Sequence, residues 1–580
     1  MDLSHRILPK SLKKQLDYYE SFFKQQKELD LVPRKTYSQS ISFRKEGNAL
    51  YQREKHDMTA THRMILSLYN QSMAYAPNDS HELALALSNR SALWFHLRKY
   101  DLCLNDIEKA LRITNSNELK NKLTARQMKC LQRNQSSPPS EKKLNDLPSF
   151  KHSESVACAA DCIKLDFNTK VGRHYTATRD IKPGEVIIDE KSPYVFVKTK
   201  QMYLVCSYCL SFAWDAVPCD SCVYAIYCNK NCKDNAWLQY HDIQCCITSS
   251  LQCKGMENMS LFDFNRIVKM VIIAVRNEGL EHILEEVKKT KNEEGICVED
   301  LLHSGKLNCK KFKFLYNLTR SKKGYHEQSM NKCVTIVLSL LRGFLLKELE
   351  SSKYQIDYET FIMSMKVMMR TLMRVYERNV YGFQSASCTR TDVHPCTPEC
   401  VVSYGSIIAP CSSLINHSCD QNVTRICIPG SRIVLFALRP IKRGEQICTT
   451  YGPDATTLPR EARRARLLES HDFMCECKAC DEGWPFPPLP PPPHQLESFR
   501  SRNLEKLDVL LGNVLEIVET PMKQQKCVKE SFNQALEMID LIYKHFDNQS
   551  AINFAYDHTN YIDKCFLYFY GENLDFPESC

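Results

Sequence analysis

The chain has 580 residues, and its 77 basic side chains face 68 acidic ones, which gives a formal charge of +9. This length implies several domains, and so modest a charge without a long basic stripe does not imply nucleic-acid binding. No apolar run approaches the roughly 20 residues that span a bilayer, so we expect a monomer of cytosol and nucleus without membrane contact. An odd total of 29 cysteines and no apolar targeting run at residues 1–10 favour a reducing compartment over a disulfide framework.

Residues 38–135 show helical patterns that resemble tetratricopeptide repeats. One repeat carries Gly-Asn-Ala-Leu-Tyr at 47–51, the next carries Ser-Asn-Arg-Ser-Ala at 88–92, and Asp106 and Ala110 complete its tail. Such repeats can hold the C-terminal tail of a chaperone in a two-carboxylate clamp of amide and cationic side chains. The matching positions are Arg44, Asn48, Asn89, Lys122 and Arg126. Lys122 and Arg126 also fit a solvated helix face, so both interpretations stay open.

Eight metal-binding side chains fall within forty residues of the middle region. They are Cys206, Cys209, Cys219, Cys222, Cys228, Cys232, His241 and Cys245. Zinc takes four such donors at tetrahedral corners, and a Cys-x2-Cys turn presents two thiolates together, so eight donors indicate two ions. Buried free thiols and disulfides are the alternatives, and the regular spacing disfavours both.

Strand patterns flank this cysteine-rich segment. Before it, 171–177 and 180–188 read as two strands with a turn at Pro183-Gly184. After it come Asn-His-Ser-Cys at 416–419, an apolar strand over 433–438, Gly444-Glu445 and Tyr451. Cys475, Cys477 and Cys480 supply three further thiolates, and a tetrahedral zinc would need a fourth from elsewhere.

This order of motifs, over residues 155–482, resembles the SMYD proteins, in which a MYND zinc finger splits a SET domain. The resemblance implies S-adenosylmethionine as cofactor, a protein lysine as methyl acceptor and three zinc ions. In the finger it implies one site from Cys206, Cys209, Cys228 and Cys232, and another from the remaining four ligands. It also implies that Cys419 joins Cys475, Cys477 and Cys480 in a zinc site that closes a C-terminal flap over the cofactor.

The same resemblance assigns roles to single residues. Tyr451 becomes the catalytic tyrosine, beside the reacting methyl group, and Tyr381 a lining residue of the lysine channel. The implied cofactor contacts are Gly172, Arg173, His174, Asn379, Asn416, His417, Tyr451 and Phe473. For Tyr451 and Phe473 a plain packing role is the alternative.

Three positions depart from the family pattern. His174 stands where many members have a second glycine, Ala409 replaces an aromatic residue before Pro410, and Tyr381 replaces a phenylalanine. These changes concern a cofactor loop and the acceptor channel. They keep open a second function, a scaffold of little turnover for transcriptional repression or chaperone recruitment.

Helical spacing continues between and after these motifs. Residues 255–380 should form a helical insertion, with a run of methionines from Met363 to Met373 in its last helix as packing residues. Four residues, Cys388, His394, Cys396 and Cys400, are too irregularly spaced for a metal site and indicate a loop. The proline-rich stretch 485–493 is a stiff spacer, or a ligand for a MYND groove, which in relatives binds proline-rich peptides. Leu507, Leu510, Leu511, Val514, Leu515 and Val518 indicate a second helical array beyond it.

The sequence therefore predicts an α+β multidomain protein, a β-rich SET fold split by a MYND finger and a helical insertion, with tetratricopeptide-like helical arrays at both ends. The expected units are an N-terminal extension 1–37, repeats 38–135, linker 136–154, SET halves 155–205 and 381–455, finger 206–245, insertion 246–380, post-SET segment 456–482, proline-rich linker 483–495 and C-terminal helices 496–580. The predicted activity is S-adenosylmethionine-dependent methylation of lysine in histone or non-histone proteins.

Overall fold

The computed structural model describes residues 10–28, 34–53, 59–134, 147–251, 261–289, 311–321, 327–386, 401–503, 528–556, 558–560, 562 and 565–566. Helices form the N-terminal part of the described chain. These helices are α1 Lys10–Glu28, α2 Tyr37–Arg53, α3 Thr59–Tyr75, α4 His81–His96, α5 Tyr100–Ile113 and α6 Asn117–Asn134. Ser80 caps α4, because its side chain accepts a hydrogen bond from Leu83 N at 3.2 Å. From α2 to α6 each helix packs on the next, as expected of helical repeats.

The core of this array is completed by side chains from outside it. Trp94 of α4 is fully buried, and its ring centroid lies 6.0 Å from that of Trp214. The ring of Trp214 in turn packs at a tilt against Phe212, with centroids 4.3 Å apart. Leu204 and Val205 belong to the same hydrophobic cluster. The helical array and the start of the cysteine-rich segment therefore share one core.

Two separated stretches of chain build the sheets around the site. The strands are β1 Ile163–Asn168, β2 Gly172–Ala177, β3 Val186–Lys191, β4 Val195–Val197, β5 Val217–Pro218, β6 Ile226–Tyr227, β7 Val380–Ala386, β8 Val401–Ile408, β9 Asn416–His417, β10 Val423–Ile428, β11 Arg432–Ala437 and β12 Gln446–Thr449. Their orders are β1-β2-β12-β9, β10-β11-β3, β4-β8-β7 and β5-β6, and within these sheets β12 and β9 run parallel. Each of the three larger sheets contains strands from both stretches, so the fold closes only when the two halves meet.

The turn at Pro183-Gly184 joins two strands that do not pair. Gly184 has φ +85°, a conformation that side chains disfavour, and it leads the chain from β2 into β3 of another sheet. β2 pairs with β1 and β12, whereas β3 pairs with β11. The local strand-turn-strand pattern therefore connects two layers of the fold.

The cysteine-rich segment is a short hairpin followed by helices. The hairpin pairs β5 with β6, then α7 Lys230–Ala236 and a π-helical turn Trp237–His241 lead into α8 Asp242–Leu251. Asn229 begins α7 because its side chain accepts a hydrogen bond from Cys232 N at 2.8 Å. This cap fixes Cys232 one turn from Cys228 and so sets the position of both thiols.

The insertion between the two sheet-forming stretches is helical. Its helices are α9 Leu261–Glu278, α10 Leu280–Lys289, α11 Phe312–Tyr316, α12 Glu327–Ser351 and α13 Tyr358–Asn379. In α13, Met365, Met368, Met369 and Met373 are buried and pack in the core. By length and composition α12 could cross a membrane, which corrects the expectation of no such run, but ten of its residues are buried in the protein core.

The N-terminal helix α1 packs on this insertion and not on the repeats. Leu12, Leu16 and Phe23 enter the large central core, where α1 lies against α12. Arg342 of α12 forms ion pairs with Asp17 at 3.1 Å and Glu20 at 2.8 Å. The first helix therefore packs with helices from the middle of the sequence.

The C-terminal helices cover the outer face of one sheet. They are α14 Arg460–His471, α15 Lys478–Asp481, α16 Pro493–Arg502, α17 Val528–His545 and α18 Asn548–Phe554. Phe499, Ile539 and Ile542 pack with Val434 and Phe436 of β11. The six apolar residues expected to form helices at 507–518, the four loop residues Cys388, His394, Cys396 and Cys400, and most of the expected linker 136–154 lie outside the described residues.

Candidate active site and zinc centres

Three groups of four donors converge in the described chain, with all ligand atoms of each group within 4.8 Å. The first finger cluster is Cys206, Cys209, Cys228 and Cys232; the second finger cluster is Cys219, Cys222, His241 and Cys245; the flap cluster is Cys419, Cys475, Cys477 and Cys480. The interleaved grouping of the finger and the recruitment of Cys419 both agree with the resemblance.

The distances within each cluster fit zinc. A tetrahedral site with Zn–S bonds of about 2.3 Å has sulfur–sulfur edges of roughly 3.8 Å. In the first finger cluster, Cys228 Sγ lies 3.7 Å from Cys209 Sγ and 3.5 Å from Cys232 Sγ. Disulfide-bonded sulfurs would be about 2.05 Å apart, so these thiols are placed to hold a metal ion.

The other two clusters have the same dimensions. Cys219 Sγ is 3.9 Å from Cys245 Sγ, and Cys222 Sγ is 3.5 Å from His241 Nε2. In the flap cluster, Cys419 Sγ lies 4.0 Å from Cys475 Sγ and 3.6 Å from Cys480 Sγ. Each cluster could therefore hold one zinc ion.

Neighbouring thiols favour the anionic form of at least one cysteine in each cluster. Hydrogen bonding from Cys206 holds the pKa of Cys209 far below its usual range. Cys222 lowers the pKa of Cys219 in the same way, and Cys419 lowers that of Cys477. Thiolates are the form that zinc binds.

A cavity of about 1490 Å³ lies between the sheets, the flap and the C-terminal helices. Its walls include most of the predicted site residues, brought together from five separate stretches of chain: Gly172, Arg173, Asn379, Tyr381, Asn416, His417, Tyr451 and Phe473. Tyr543, Phe546, Asp547 and Asn548 of the C-terminal helices close the far side. Such a volume can accommodate a nucleotide-sized ligand and part of a second molecule.

Two hydrogen bonds hold Tyr451 at the wall of this cavity. Its hydroxyl donates to Ile415 O at 2.8 Å, and its backbone N donates to His417 Nδ1 at 3.0 Å. Burial raises the pKa of Tyr451 above its ordinary value, and Tyr381 raises it further. The hydroxyl therefore stays protonated at neutral pH.

His417 joins Tyr451 to the flap cluster. Because Nδ1 accepts from Tyr451 N, the ring proton resides on Nε2, which lies 3.3 Å from Cys419 Sγ. Burial lowers the pKa of His417 to about 4, so the ring is neutral and retains this tautomer. Phe473 lies across the same ring, with centroids 6.0 Å apart.

The N-terminal loop reaches the cavity through its backbone. Gly172 has φ +70°, and Asn416 Nδ2 donates to the preceding carbonyl, Val171 O, at 2.9 Å. Arg173 lines the cavity and donates to Asn317 O at 3.0 Å. His174 departs from the expected contact: its side chain is buried, its Nδ1 lies 2.9 Å from Gly172 O, and it does not line the cavity.

Asn379 and Tyr381 occupy the opposite wall. Asn379 ends α13, and its Nδ2 donates to Thr319 O at 2.7 Å and Val375 O at 2.8 Å. Arg425 lies over the ring of Tyr381, 4.7 Å from the centroid. The channel tyrosine is thus held by a cation–π contact.

Two ion-paired residues that the sequence analysis missed fasten the flap. Arg378 pairs with Asp472, and both are nearly buried; it also donates to Ser470 O at 2.9 Å. His471, between these two partners, lies 4.9 Å from the ring of Tyr451. The sequence Arg-Asn at 378–379 indicated the role of Asn379. Nothing in the sequence indicated that Arg378 pairs with Asp472, which lies 94 residues further along the chain.

A buried carboxylate positions the loop before the Asn-His-Ser-Cys motif. Glu190 is fully buried, and its two oxygens accept from Cys411 N at 3.0 Å and Ser412 N at 2.8 Å. Ser412 Oγ also donates to it. Cys158 and Cys411 lie close by, but Glu190 is already used in these hydrogen bonds.

The structure brings several of the predicted clamp residues of the repeats together. Asn89 Nδ2 and Tyr69 OH both donate to Asn48 Oδ1, at 2.7 and 3.0 Å. Arg126 Nη1 donates to Ser88 O at 2.7 Å and to Ser91 Oγ at 2.6 Å, and burial raises the pKa of Tyr69. Lys122 is exposed one turn before Arg126 on α6.

Comparison with known proteins agrees with this geometry. Residues 172–452 match the SET domain family model. The chain is similar to protein-lysine N-methyltransferase SMYD4 of Danio rerio (24% identity over 524 residues, 77% of this chain and 66% of the relative) and of Homo sapiens (23% over 551 residues, 76% and 66%). It is also similar to N-lysine methyltransferase SMYD2-B of Xenopus laevis (22% over 311 residues, 53% and 58%).

The chain spans 66% of the length of the two SMYD4 relatives, slightly less than two thirds. The match to these relatives covers more of the chain than the SET domain alone. The SET domain match, the two finger clusters that interrupt it and these similarities support membership of the SMYD family of SET and MYND domain proteins.

Proposed function

We propose that the protein is an S-adenosylmethionine-dependent protein-lysine N-methyltransferase. The observation that carries the proposal is the position of Tyr451, whose hydroxyl is fixed on Ile415 O in the cavity that Asn416 and Phe473 also line. The SET domain and the names of the relatives support the same reaction. The acceptor is a lysine of a histone or another protein.

The residues of the cavity suit this cofactor. Asn416 and the backbone at Gly172 offer polar groups for its amino-acid part, and Phe473 offers a ring for the adenine. When bound, the cofactor supplies a methyl group on a sulfonium, which a neutral amine displaces. No enzyme-bound intermediate is needed.

The chain contributes orientation and exclusion of water. A lysine has an ordinary pKa near 10.4 and must lose its proton before it can attack. Tyr451 cannot be the base because burial keeps its hydroxyl protonated. Its oxygen lone pairs instead orient the amine and the positive charge at the reacting centre, and Tyr381 narrows the channel through which the lysine enters.

Three zinc ions complete this proposal. The two finger clusters would hold one ion each, and the flap cluster would hold the third between Cys419 and the post-SET segment. Zinc in the flap is structural, because all four tetrahedral positions are filled by protein. It nevertheless supports cofactor binding, since Phe473 is two residues from Cys475.

Methyl transfer to proteins of a lysate from radiolabelled S-adenosylmethionine tests the proposal. Tyr451→Phe should lower transfer by about 100-fold while cofactor affinity changes little. Tyr203→Phe is the matched control, because its hydroxyl also donates to a carbonyl, Val223 O at 3.1 Å, away from the cavity. Folded wild type that binds the cofactor without labelling lysine would instead favour the scaffold function.

A second candidate function is peptide binding by the repeats. Its support is the contact of Asn89 with Asn48 and the position of Arg126, which donates to Ser88 O on the helix that carries Asn89. We infer that these side chains bind an acidic peptide by its terminal carboxylate, as in the tail of a chaperone. Lys122→Ala and Arg126→Ala should each weaken binding of such a peptide about tenfold, and Lys120→Ala should not. Equal affinity for the amidated peptide would contradict the inference.

A further inference from the structure

The strand β10 presents Arg425 to the cavity. Successive side chains of a strand point to opposite faces of its sheet. Ile426 and Ile428 pack with the C-terminal helices, so Arg425 and Cys427 lie on the other face. Cys427 Sγ is 3.7 Å from Gly382 O of β7, and Arg425 lines the cavity. This face of β10 therefore lies against β7, the strand that carries the channel tyrosine.

Two contacts hold the guanidinium of Arg425 between the channel tyrosine and the proposed catalytic tyrosine. Its Cζ lies 4.7 Å from the centroid of the Tyr381 ring, and its Nη1 donates to Thr450 O at 3.4 Å. Thr450 directly precedes Tyr451 in the chain, and the side chain of Arg425 is half-buried. A cation is thus fixed at the end of the cavity where the acceptor amine would meet Tyr451.

No carboxylate balances this cation. Among the residues that the structure describes, none with a carboxylate forms an ion pair with Arg425, whose contacts are a ring and a carbonyl oxygen. A guanidinium cannot lose its proton in a protein. The positive charge of Arg425 is therefore present at every pH at which the protein is folded.

The other titratable groups at this end of the cavity are neutral or paired. Burial raises the pKa of Tyr381 and that of Tyr451, so both hydroxyls keep their protons. The ring of His471 lies 4.9 Å from that of Tyr451, and burial lowers the pKa of His471 to about 4. Arg378 is paired with Asp472. The net charge beside Tyr451 therefore comes from Arg425.

Charged groups on the neighbouring elements do not cancel it. His417 is neutral, because burial lowers its pKa to about 4. Glu190 raises the pKa of the channel tyrosine, but it does not line the cavity, and its oxygens are bound by the loop before the Asn-His-Ser-Cys motif. Asp420, Arg439 and Glu445 pair with one another. The remaining charged side chains of the wall lie on other elements, among them Lys170, Lys442, Lys478 and Asp547.

A fixed cation acts on any second cation that enters the same cavity. Two like charges close together each disfavour the charged form of the other, and more so out of water. A lysine enters as an ammonium and must become a neutral amine before it can accept a methyl group. Repulsion by Arg425 raises the free energy of the ammonium and leaves that of the amine nearly unchanged.

We propose that Arg425 promotes loss of the proton from the acceptor lysine by holding a permanent positive charge beside it. The N–H bond of the ammonium breaks, its electron pair stays on nitrogen, and the proton passes to water; no bond to Arg425 forms or breaks. This inference rests on the proposed methyltransferase function. It supplies the step for which Tyr451, as a protonated hydroxyl, cannot be the base.

The pH dependence of methyl transfer tests the proposal. Initial rates are measured with radiolabelled S-adenosylmethionine and lysate proteins at low concentration, between about pH 7 and pH 10. In Arg425→Met the midpoint of the rising limb should move up by about one pH unit or more, so the rate on that limb should fall about tenfold. The loss should shrink as the pH rises. Arg425→Lys keeps a cation and should keep the midpoint closer to that of the wild type.

Controls separate this role from a structural one. Arg432 lies on the adjacent strand β11, pairs with Asp189 and does not line the cavity. Arg432→Met removes one positive charge as well, but it should leave the midpoint unchanged. Arg425→Met should leave the affinity for S-adenosylmethionine and the midpoint of urea unfolding unchanged, because no ion pair is lost.

Three results would overturn the proposal. Equal pH midpoints for the wild type and Arg425→Met would show that the charge does not act on the amine. A loss of rate of the same size at every pH would show that Arg425 instead recognises a carboxylate of the substrate. A loss of cofactor affinity with an unchanged midpoint would place it on the carboxylate of the cofactor.

The same experiment distinguishes this inference from the function on which it rests. Lysine label in the wild type with an unchanged midpoint in Arg425→Met would leave the methyltransferase in place and remove only the role of Arg425. A wild type that binds the cofactor and labels no lysine would overturn both.

Discussion

His417 Nδ1 accepts a hydrogen bond from Tyr451 N, while His417 Nε2 faces Cys419 Sγ. One imidazole therefore connects the proposed catalytic tyrosine to the flap cluster. Because the ring is neutral and each nitrogen has a distinct partner, its orientation is set from both sides.

This connection predicts different effects of two substitutions at His417. His417→Ala removes both contacts and should lower the free energy of unfolding by about 1–3 kcal/mol and the transfer rate by at least tenfold. His417→Asn leaves an amide oxygen close to the position of Nδ1, so it should retain more activity. Urea unfolding and initial rates measure both effects; equal rates for the two variants would show that the bond to Tyr451 N is unimportant.

The protonation of Tyr451 predicts the pH dependence of the reaction. Burial raises the pKa of Tyr451 in the folded protein, so the hydroxyl does not ionise as pH rises from 7 to about 10, its ordinary value. The rate should rise with pH as the substrate lysine deprotonates. In Tyr451→Phe the rate should be lower at every pH, but the rising limb should keep its midpoint. A midpoint displaced by the substitution would identify Tyr451 as the titrating group.

Loss of one zinc ligand should affect cofactor binding differently in the flap cluster and in the first finger cluster. Cys475→Ser and Cys209→Ser should each lower the metal content by one zinc per chain, as measured by mass spectrometry of the purified protein. Cys475→Ser should also lose most of the cofactor affinity, because the flap cluster holds Phe473 over the cavity. Cys209→Ser should leave cofactor affinity within a few fold. Unchanged zinc content in either variant would remove that cluster from the set of zinc sites.

Arg378 and Asp472 form a nearly buried ion pair between α13 and the flap. Arg378→Met removes the cation from the nearly buried carboxylate of Asp472 and should cost about 3–5 kcal/mol of stability. The double variant Arg378→Met with Asp472→Asn should cost less than the sum of the single variants. Denaturant unfolding of the four proteins gives the coupling energy, and additive losses would mean that the two residues act separately.

Arg90 and Asp106 form a fully buried pair within the repeats. Arg90 donates to Asp106 through Nε at 2.8 Å and to Ala216 O of the finger through Nη1 at 3.3 Å. Asp106→Asn should cost about 3–5 kcal/mol, because the buried guanidinium then keeps only its longer contact with the carboxylate of Asp215, at 3.5 Å. Lys109→Met, which breaks the partly exposed pair with Asp215, should cost about 1 kcal/mol or less. Similar losses of stability from Asp106→Asn and Lys109→Met would show that burial does not determine how much each ion pair contributes.

Spacing along the chain indicated that eight donors of the finger hold two ions and that Cys475, Cys477 and Cys480 need a fourth partner. The resemblance to the SMYD proteins supplied the grouping of the finger ligands and the recruitment of Cys419, and the structure agrees with both. The helical insertion was equally visible, since Met365, Met368 and Met369 repeat with the helix.

Contacts between distant segments could not be predicted in the same way. Arg378 with Asp472, Glu190 with Ser412, and the packing of α1 on α12 join residues with no shared pattern. The surroundings of His174 depend on such pairing too. The motif gave its position in the chain, but only the structure shows that its side chain is buried and is not among those that line the cavity.

The shared core of repeats and finger sets an order for folding during synthesis. Trp94 is completely enclosed only when Phe212 and Trp214 are present, and these follow the end of α6 by about 80 residues. When the repeats have left the ribosome, Phe212 and Trp214, which complete their core, have not yet been released. The nascent array therefore carries an open apolar face until the cysteine-rich segment emerges. If the finger folds on zinc as proposed, we expect zinc shortage to destabilise the repeats as well, although the three donor clusters contain none of their residues.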